Sequence, residues 1–267
     1  MWNWISKLEE LRREGKPVVA VTVTQCTAST PRETGAKMLV LGDGKFLGTI
    51  GGGNLEALAL EEAAKCLQLG NSKTVRYPLG AKTGQCCGGI VELLFEVLND
   101  GPALYLFGAG HVGQAVCHTL AGTPFTVHLI DERGDWVNSP LLPPEVIRHE
   151  GDWETFVTEA RWDARKTYVA IMTFRHDVDE RIVEALLRQA RPLRYLGLIG
   201  SESKWERFKQ RLAARAITPE QLETVHCPIG LSLGGGKAPA EIAISVGAEL
   251  LQTYYRTENN SRSTSRE

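Results

Sequence analysis

The sequence has almost no surplus of charge of either sign: 30 Lys and Arg against 32 Asp and Glu leave a net charge of −2. A general polyanion binder needs a basic excess to offset many phosphates, so bulk nucleic-acid binding is excluded. Long apolar runs are missing too, and no stretch reaches the roughly 18 residues needed to span a bilayer. The opening segment MWNWISKLEELRREG sets Ile5, Leu8 and Leu11 on one face, with Glu9 four residues before Arg13. That spacing predicts an amphipathic helix rather than a secretion signal. A cytoplasmic protein with no membrane attachment is expected. The cysteines, at 26, 66, 86, 87, 117 and 227, lack zinc-type partner spacing and do not form a small-domain disulfide framework. They are expected to be mostly reduced thiols, with Cys66 and Cys117 packing inside helices. There is neither an internal repeat nor a GxxxxGK[ST] phosphate loop.

What is present is an ordinary globular balance, 43% hydrophobic and 23% charged over 267 residues, about 1.8 times a typical domain of about 150, so two domains are expected. Asn99-Asp100-Gly101-Pro102 joins four turn-forming residues and predicts the boundary. The expected organisation is a first domain over 1–99, a second over 102–256, and a frayed polar tail over 257–267. In the first domain Pro17–Thr24, Lys37–Leu41 and Ile90–Leu98 read as strands and Asn54–Leu69 as a helix, a mixed α/β layer. In the second, ALYLF, TVHLI, TYVAIM and YLGLI alternate with helical stretches such as Val178–Ala190. This is the rhythm of a Rossmann-like, doubly wound parallel sheet.

Five loops carry candidate chemistry. Gly108-Ala109-Gly110-His111-Val112-Gly113 lies between a strand and a helix, with Asp131 ending the next strand, as in a dinucleotide fingerprint. Gly108 would permit the tight turn, Gly110 the approach of a pyrophosphate and Gly113 close packing of helix on strand. Asp131 would accept from ribose hydroxyls and disfavour a 2′-phosphate, so an NAD-like ligand is expected over an NADP-like one. The same glycines also suit a doubly wound fold that binds no dinucleotide. His176, in Thr173-Phe174-Arg175-His176-Asp177 just past a strand end, is a candidate proton shuttle or a solvated loop residue.

In the first domain, Gly51-Gly52-Gly53 precede a helix and would expose backbone N–H groups to a phosphate, with Arg32 adding a bidentate contact. An ordinary glycine turn fits equally. Gln85-Cys86-Cys87, within GQCCGG, puts neighbouring thiols in a glycine-rich turn, open to a ligand or a sulfur-transfer partner. The bland reading is one buried thiol and one bystander. A fifth loop, Gly234-Gly235-Gly236-Lys237, leads to Pro239 at a helix start and suits either an anion or a plain cap.

Together STPRETGAKMLV, GTIGGGNLE, GQCCGG, FGAGHVG, MTFRHD, YLGLIGSESK and PIGLSLGGGKAPAEIAISVGAEL resemble the XdhC/CoxI family over nearly the whole chain. The resemblance implies a chaperone that binds the molybdenum cofactor, assists its sulfuration with a cysteine desulfurase and delivers it to xanthine dehydrogenase. It places Cys86 and Cys87 toward the sulfur-rich end of the cofactor, and Arg32 with the Gly51–Gly53 turn toward its phosphate. Many relatives have Cys where this chain has Asn54, so a thiol role there does not carry over. The cofactor is expected in a cleft between the domains, and a homodimer is expected from relatives. The competing reading of the same residues is an NAD-dependent oxidoreductase using Gly108–Gly113, Asp131 and His176. A thiol redox sensor at Cys86-Cys87 is a third.

Overall fold

The structure is a computed structural model that describes residues 3–28, 30–79, 89–160, 162–191, 193–234 and 236–264, with side chains described as far as Arg256. The chain divides into two compact units, Met1–Asp100 and Gly101–Glu267.

In the first unit, α1 (Trp4–Arg13), β1 (Val18–Thr27), β2 (Lys37–Leu41), β3 (Phe46–Gly48), α2 (Gly53–Leu69), β4 (Lys73–Pro78) and β5 (Ile90–Leu98) build one sheet in the order β3-β2-β1-β5-β4. Every pairing in it is antiparallel. The valine run of β1 reads as continuous rather than alternating because both faces of this central strand are covered. Val19, Val21 and Val23 pack with Leu55, Ala59, Ala63 and Cys66 of α2, whose spacing makes one helical stripe. Val18 and Ala20 pack on the other face with Leu11 of α1 and Leu39. Gly70 ends α2 in the left-handed conformation, φ 69°, where glycine avoids the Cβ penalty.

The second unit runs β6 (Ala103–Phe107), α3 (His111–Leu120), β7 (Thr126–Asp131), α4 (Gly134–Val137), β8 (Ile147–Glu150), α5 (Trp153–Glu159), β9 (Thr167–Ile171), α6 (His176–Arg188), β10 (Tyr195–Leu198), α7 (Glu202–Ala214), α8 (Pro219–Glu223), β11 (Val225–His226) and α9 (Pro239–Thr264). Its six strands are all parallel, in the order β8-β7-β6-β9-β10-β11. This is the doubly wound Rossmann order, with the reversal of direction between β6 and β9, where such sheets bind ligands beyond their carboxyl ends. One face buries Leu104, Leu106, Val116 and Leu120 with Ala243, Val246 and Leu250 of α9. The other buries Phe107, Val169 and Ile171 with Ile182, Leu186 and Phe208. Glu249 fastens α9 to the sheet edge, accepting from the Tyr195 hydroxyl at 2.6 Å and the Gly230 amide at 2.6 Å.

One expectation changes here. Part of the segment expected as a frayed tail over 257–267 is helical, α9 continuing to Thr264, because residues 257–264 contain neither Gly nor Pro to end it. No described helix is long and apolar enough to cross a membrane.

Candidate functional site at the carboxyl edge of the parallel sheet

The turn from β6 to α3 is built by three glycines that differ in what constrains them. Gly108 has φ +115°, and a Cβ there would lie 2.3 Å from the Met172 carbonyl oxygen. A Cβ on Gly113 would lie 2.0 Å from the Gly108 carbonyl oxygen. Both glycines are therefore imposed by close backbone packing. Gly110 is different: its φ is −65°, and a Cβ there meets nothing within 4 Å. It caps α3 without a side-chain hydrogen bond, and the first turn of that helix carries no acidic residue. The N–H groups of that turn are thus available to an anion, favoured by the helix dipole. His111 opens the helix, exposed, with its ring edge-on to Trp136 at 5.1 Å.

Asp131 sits at the end of β7, buried, and both of its oxygens are engaged. Oδ2 accepts from the Ala109 amide at 2.7 Å and from the Arg133 guanidinium at 2.7 Å. Oδ1 accepts from the Arg133 amide at 3.0 Å and its Nε at 2.9 Å. Burial alone would push this carboxyl up, but the Arg133 guanidinium and the two amides outweigh it and hold the group below its ordinary value. The carboxylate expected to receive a ribose is in this state the anchor of the glycine turn. Its charge, expected to repel a 2′-phosphate, is offset by Arg133. The guanidinium lies over the Phe174 ring at 4.3 Å.

Beside the turn is a small open cleft of about 30 Å3, walled by Phe107, Ile130, Trp153, Phe174 and Val178 and reaching Gly108, Asp131, Glu132 and Thr173. Next to it, fully buried Asp179 accepts from the Thr173 amide at 3.0 Å and hydroxyl at 2.7 Å and from Lys204 Nζ at 3.0 Å. His176 begins α6 with its side chain 80% exposed, Nδ1 3.7 Å from Asp179. This is an ion-pair distance rather than a hydrogen bond, so His176 is solvated and held loosely. Sequence reasoning missed Arg133, Trp153, Asp179 and Lys204, which come from four different elements. The only local signal was Lys204 in YLGLIGSESK, a lysine shortly after a strand end.

In the first unit the outcome for the glycine turn differs. Glu56 accepts from the Thr49 hydroxyl and from the amides of Ile50 at 3.1 Å and Gly52 at 2.9 Å. The Gly51 amide donates to the Thr49 hydroxyl oxygen at 3.2 Å. The Gly51 and Gly52 amides are thus turned onto the chain's own side chains, and Gly53 begins α2. Burial would raise the Glu56 carboxyl, but these donors outweigh it and hold it low. Arg32 is exposed on the neighbouring turn, where its carbonyl accepts from the Cys26 thiol at 3.3 Å. Gln85, Cys86 and Cys87 lie outside the described residues. The flanking residues are placed: Leu79 donates to the Gly89 carbonyl at 2.7 Å, and Ile90 pairs with Thr27, next to Cys26. The loop before α9 is also filled from within, the Glu241 carboxylate accepting from the Ala238 amide at 3.0 Å.

Cys66 and Cys117 are buried in their helices, and burial pushes the Cys117 thiol up to about 12. Among the described residues no group of three or more His, Cys, Asp or Glu could hold a metal ion.

The fold and turn define a chain in which a smaller antiparallel α/β unit is followed in sequence by a Rossmann domain. Comparison with known proteins makes this specific. Residues 104–250 match the profile described as the XdhC Rossmann domain, and residues 11–78 that of the XdhC and CoxI family. The chain belongs to the XdhC and CoxI family. It is 32% identical to the Molybdenum cofactor insertion chaperone PaoD of Escherichia coli (strain K12), over 94% of this chain and 88% of that one. It is 31% identical to the Uncharacterized protein YqeB of the same strain, over 94% of this chain and 46% of the relative. To a probable xanthine dehydrogenase subunit of Bacillus subtilis (strain 168) it is 31% identical over 62% of this chain and 47% of the relative. The chain thus spans about half the length of two of the curated relatives it matches. A crystal structure of a xanthine dehydrogenase from Bacillus halodurans shares the fold, with TM-score 0.50 and 22% identity over 96% of each chain.

Proposed function

We propose that this chain is a molybdenum-cofactor chaperone that holds the cofactor, supports its sulfuration by a cysteine desulfurase and hands it to an enzyme of the xanthine dehydrogenase type. The observation that carries the reading is the similarity to a relative named as a molybdenum cofactor insertion chaperone, which runs through both units and covers 88% of that relative. The residues fit such a cargo in kind. A pterin cofactor offers a phosphate and a sulfur-bound metal. The chain offers open amides at α3, the exposed Arg32, the partly exposed Cys26 and the thiols of Cys86 and Cys87. In this reading the chain's task is to bind and shield rather than to turn over substrate.

The test is to incubate the purified chain with molybdenum cofactor under reducing, anaerobic conditions, isolate the bound fraction by gel filtration and add cofactor-free xanthine dehydrogenase. Co-elution of molybdenum followed by recovery of dehydrogenase activity is expected. The double variant Cys86→Ala, Cys87→Ala is expected to lose the sulfurated fraction. Absence of co-elution overturns the reading, and full delivery by the double variant removes its thiol part.

A further inference from the structure

We propose that the outer edge of β11, together with the two clefts beside it, docks an extended basic segment of a partner protein whose apolar side chains enter the clefts. β11 is the last strand of its sheet, bonded to β10 alone over Val225 and His226. An exposed sheet edge is a template on which an extended chain adds a strand, with main-chain hydrogen bonds supplying affinity and side-chain pockets specificity. A short edge is by itself a common protection against such pairing. What sets this edge apart is the pair of clefts on its flank.

The first cleft, about 570 Å3, lies between α7, α8 and β11. Trp205, Leu222 and Val225, all buried, give it an apolar floor, and Glu206, Lys209 and Glu223 line it as well. The second, about 460 Å3, opens past the carboxyl end of β11, where Ile229, Leu231, Leu233 and Ile242 are joined by Glu202 and Glu241. The two follow one another: α7 contributes Glu202 to one and Trp205 to the other, and the strand passes from Val225 in one to Pro228 in the other. Leu233 is 57% exposed, and Leu231 and Ile242 are half-buried. Apolar surface left open to water and rimmed by polar groups marks contact sites.

Charge then selects the occupant. Among the described residues Lys209 is the only basic residue lining either cleft, and it is paired with Glu206. Glu202 and Glu223 have no partner among the described residues, and Glu241 accepts only from the Ala238 amide. A strand added to β11 therefore runs past apolar floors and unpaired carboxylates, which favours Lys or Arg beside Leu or Val and disfavours an acidic segment.

The test is fluorescence anisotropy of the full chain with a labelled peptide of about eight residues built from Lys, Leu and Val. Its counterpart with Glu in place of Lys, and two forms N-methylated at one or the other set of alternate residues, complete the series. The basic peptide should bind saturably and the acidic one should not. N-methylation of the set of amides facing β11 should weaken binding at least about tenfold, while methylation of the other set leaves it unchanged. The double variant Glu202→Gln, Glu223→Gln should weaken it about fivefold at an unchanged melting temperature. The proposal is overturned if the basic peptide does not saturate, if the acidic peptide matches it, if the two methylated forms bind alike or if the double variant binds as the parent does. Binding that appears only on dilution of a dimer also overturns it, by showing that a second copy of the chain fills the edge. The titration contains neither molybdenum cofactor nor dehydrogenase, so its failure leaves the proposed delivery role standing.

Discussion

The first unit enters α2 through Thr49–Gly53, and the second enters α3 through Gly108–Gly110. Both turns set glycines before a helix, yet their amides meet different partners. Glu56, in the first turn of α2, reaches back and takes the amides of Ile50 and Gly52. In α3 the first turn has no acid; the fourth helical position, which is Glu56 in α2, is Gln114 in α3. Glu241, in the first turn of α9, repeats the first pattern. Glycine richness thus marks where amides are exposed during chain entry into a helix, while the acid content of the next turn decides whether they stay exposed.

The largest effects should come from the glycines fixed by packing. Gly108→Ala and Gly113→Ala each drive a Cβ into a backbone oxygen, at 2.3 and 2.0 Å, and should destabilise the second unit by about 3 kcal/mol or more. Urea unfolding followed by Trp fluorescence checks this, and a loss under about 1 kcal/mol would show that the turn relaxes freely.

The units should also respond to acid in different windows. His128 lies under Tyr105 with Nδ1 3.0 Å from His149 Nε2, and burial followed by its neighbour His149 lowers it from 6.5 to about 4. The unfolded chain takes up a proton there below pH 6.5 while the folded chain does not. Stability of the second unit is therefore fully present above that value and is lost as pH falls toward about 4, by about 3 kcal/mol at most. His128→Phe should flatten this dependence in a pH series of melting curves. Glu56 is also held low, against an ordinary value of 4.5. Its contribution is present above 4.5 and vanishes only as pH falls through the depressed value. Glu56→Ala leaves the Ile50 and Gly52 amides without their acceptor and should cost about 1–3 kcal/mol at neutral pH. The gap between parent and variant should close in acid, as read by amide exchange in β1.

Much of this architecture was legible before any coordinates. Val18–Val23 and Thr167–Ile171 lie at sheet centres with residues buried on both faces, so their apolar runs stand out. The edges did not stand out. β3 is three residues long, β4 alternates between exposed and half-buried positions, and β11 pairs over only two residues, too little burial to impose a pattern. The glycine turn was readable because backbone clashes force residue identity locally. The pocket beside it was not, since Phe107, Trp153 and Phe174 meet only through the order of parallel strands. The anchoring of Asp131 by Arg133 was equally hidden: two residues apart, they could as easily have pointed to solvent.

The smallest stability effect belongs to Gly110, and it is the most informative about the two turns. Its backbone is extended, φ −65° and ψ −176°, the conformation in which a helix N-cap favours Ser. Gly110→Ser should therefore change stability by no more than about 0.5 kcal/mol, in either direction. The new hydroxyl can accept from an amide of the first turn, doing for α3 what Glu56 does for the turn before α2. The open turn would then resemble the closed one at a single position, with the rest of the unit unchanged. An unchanged melting temperature together with loss of pyrophosphate binding would show that the difference between the two turns lies in amide occupancy. A drop in stability as large as that of Gly108→Ala would instead place Gly110 among the glycines that packing requires.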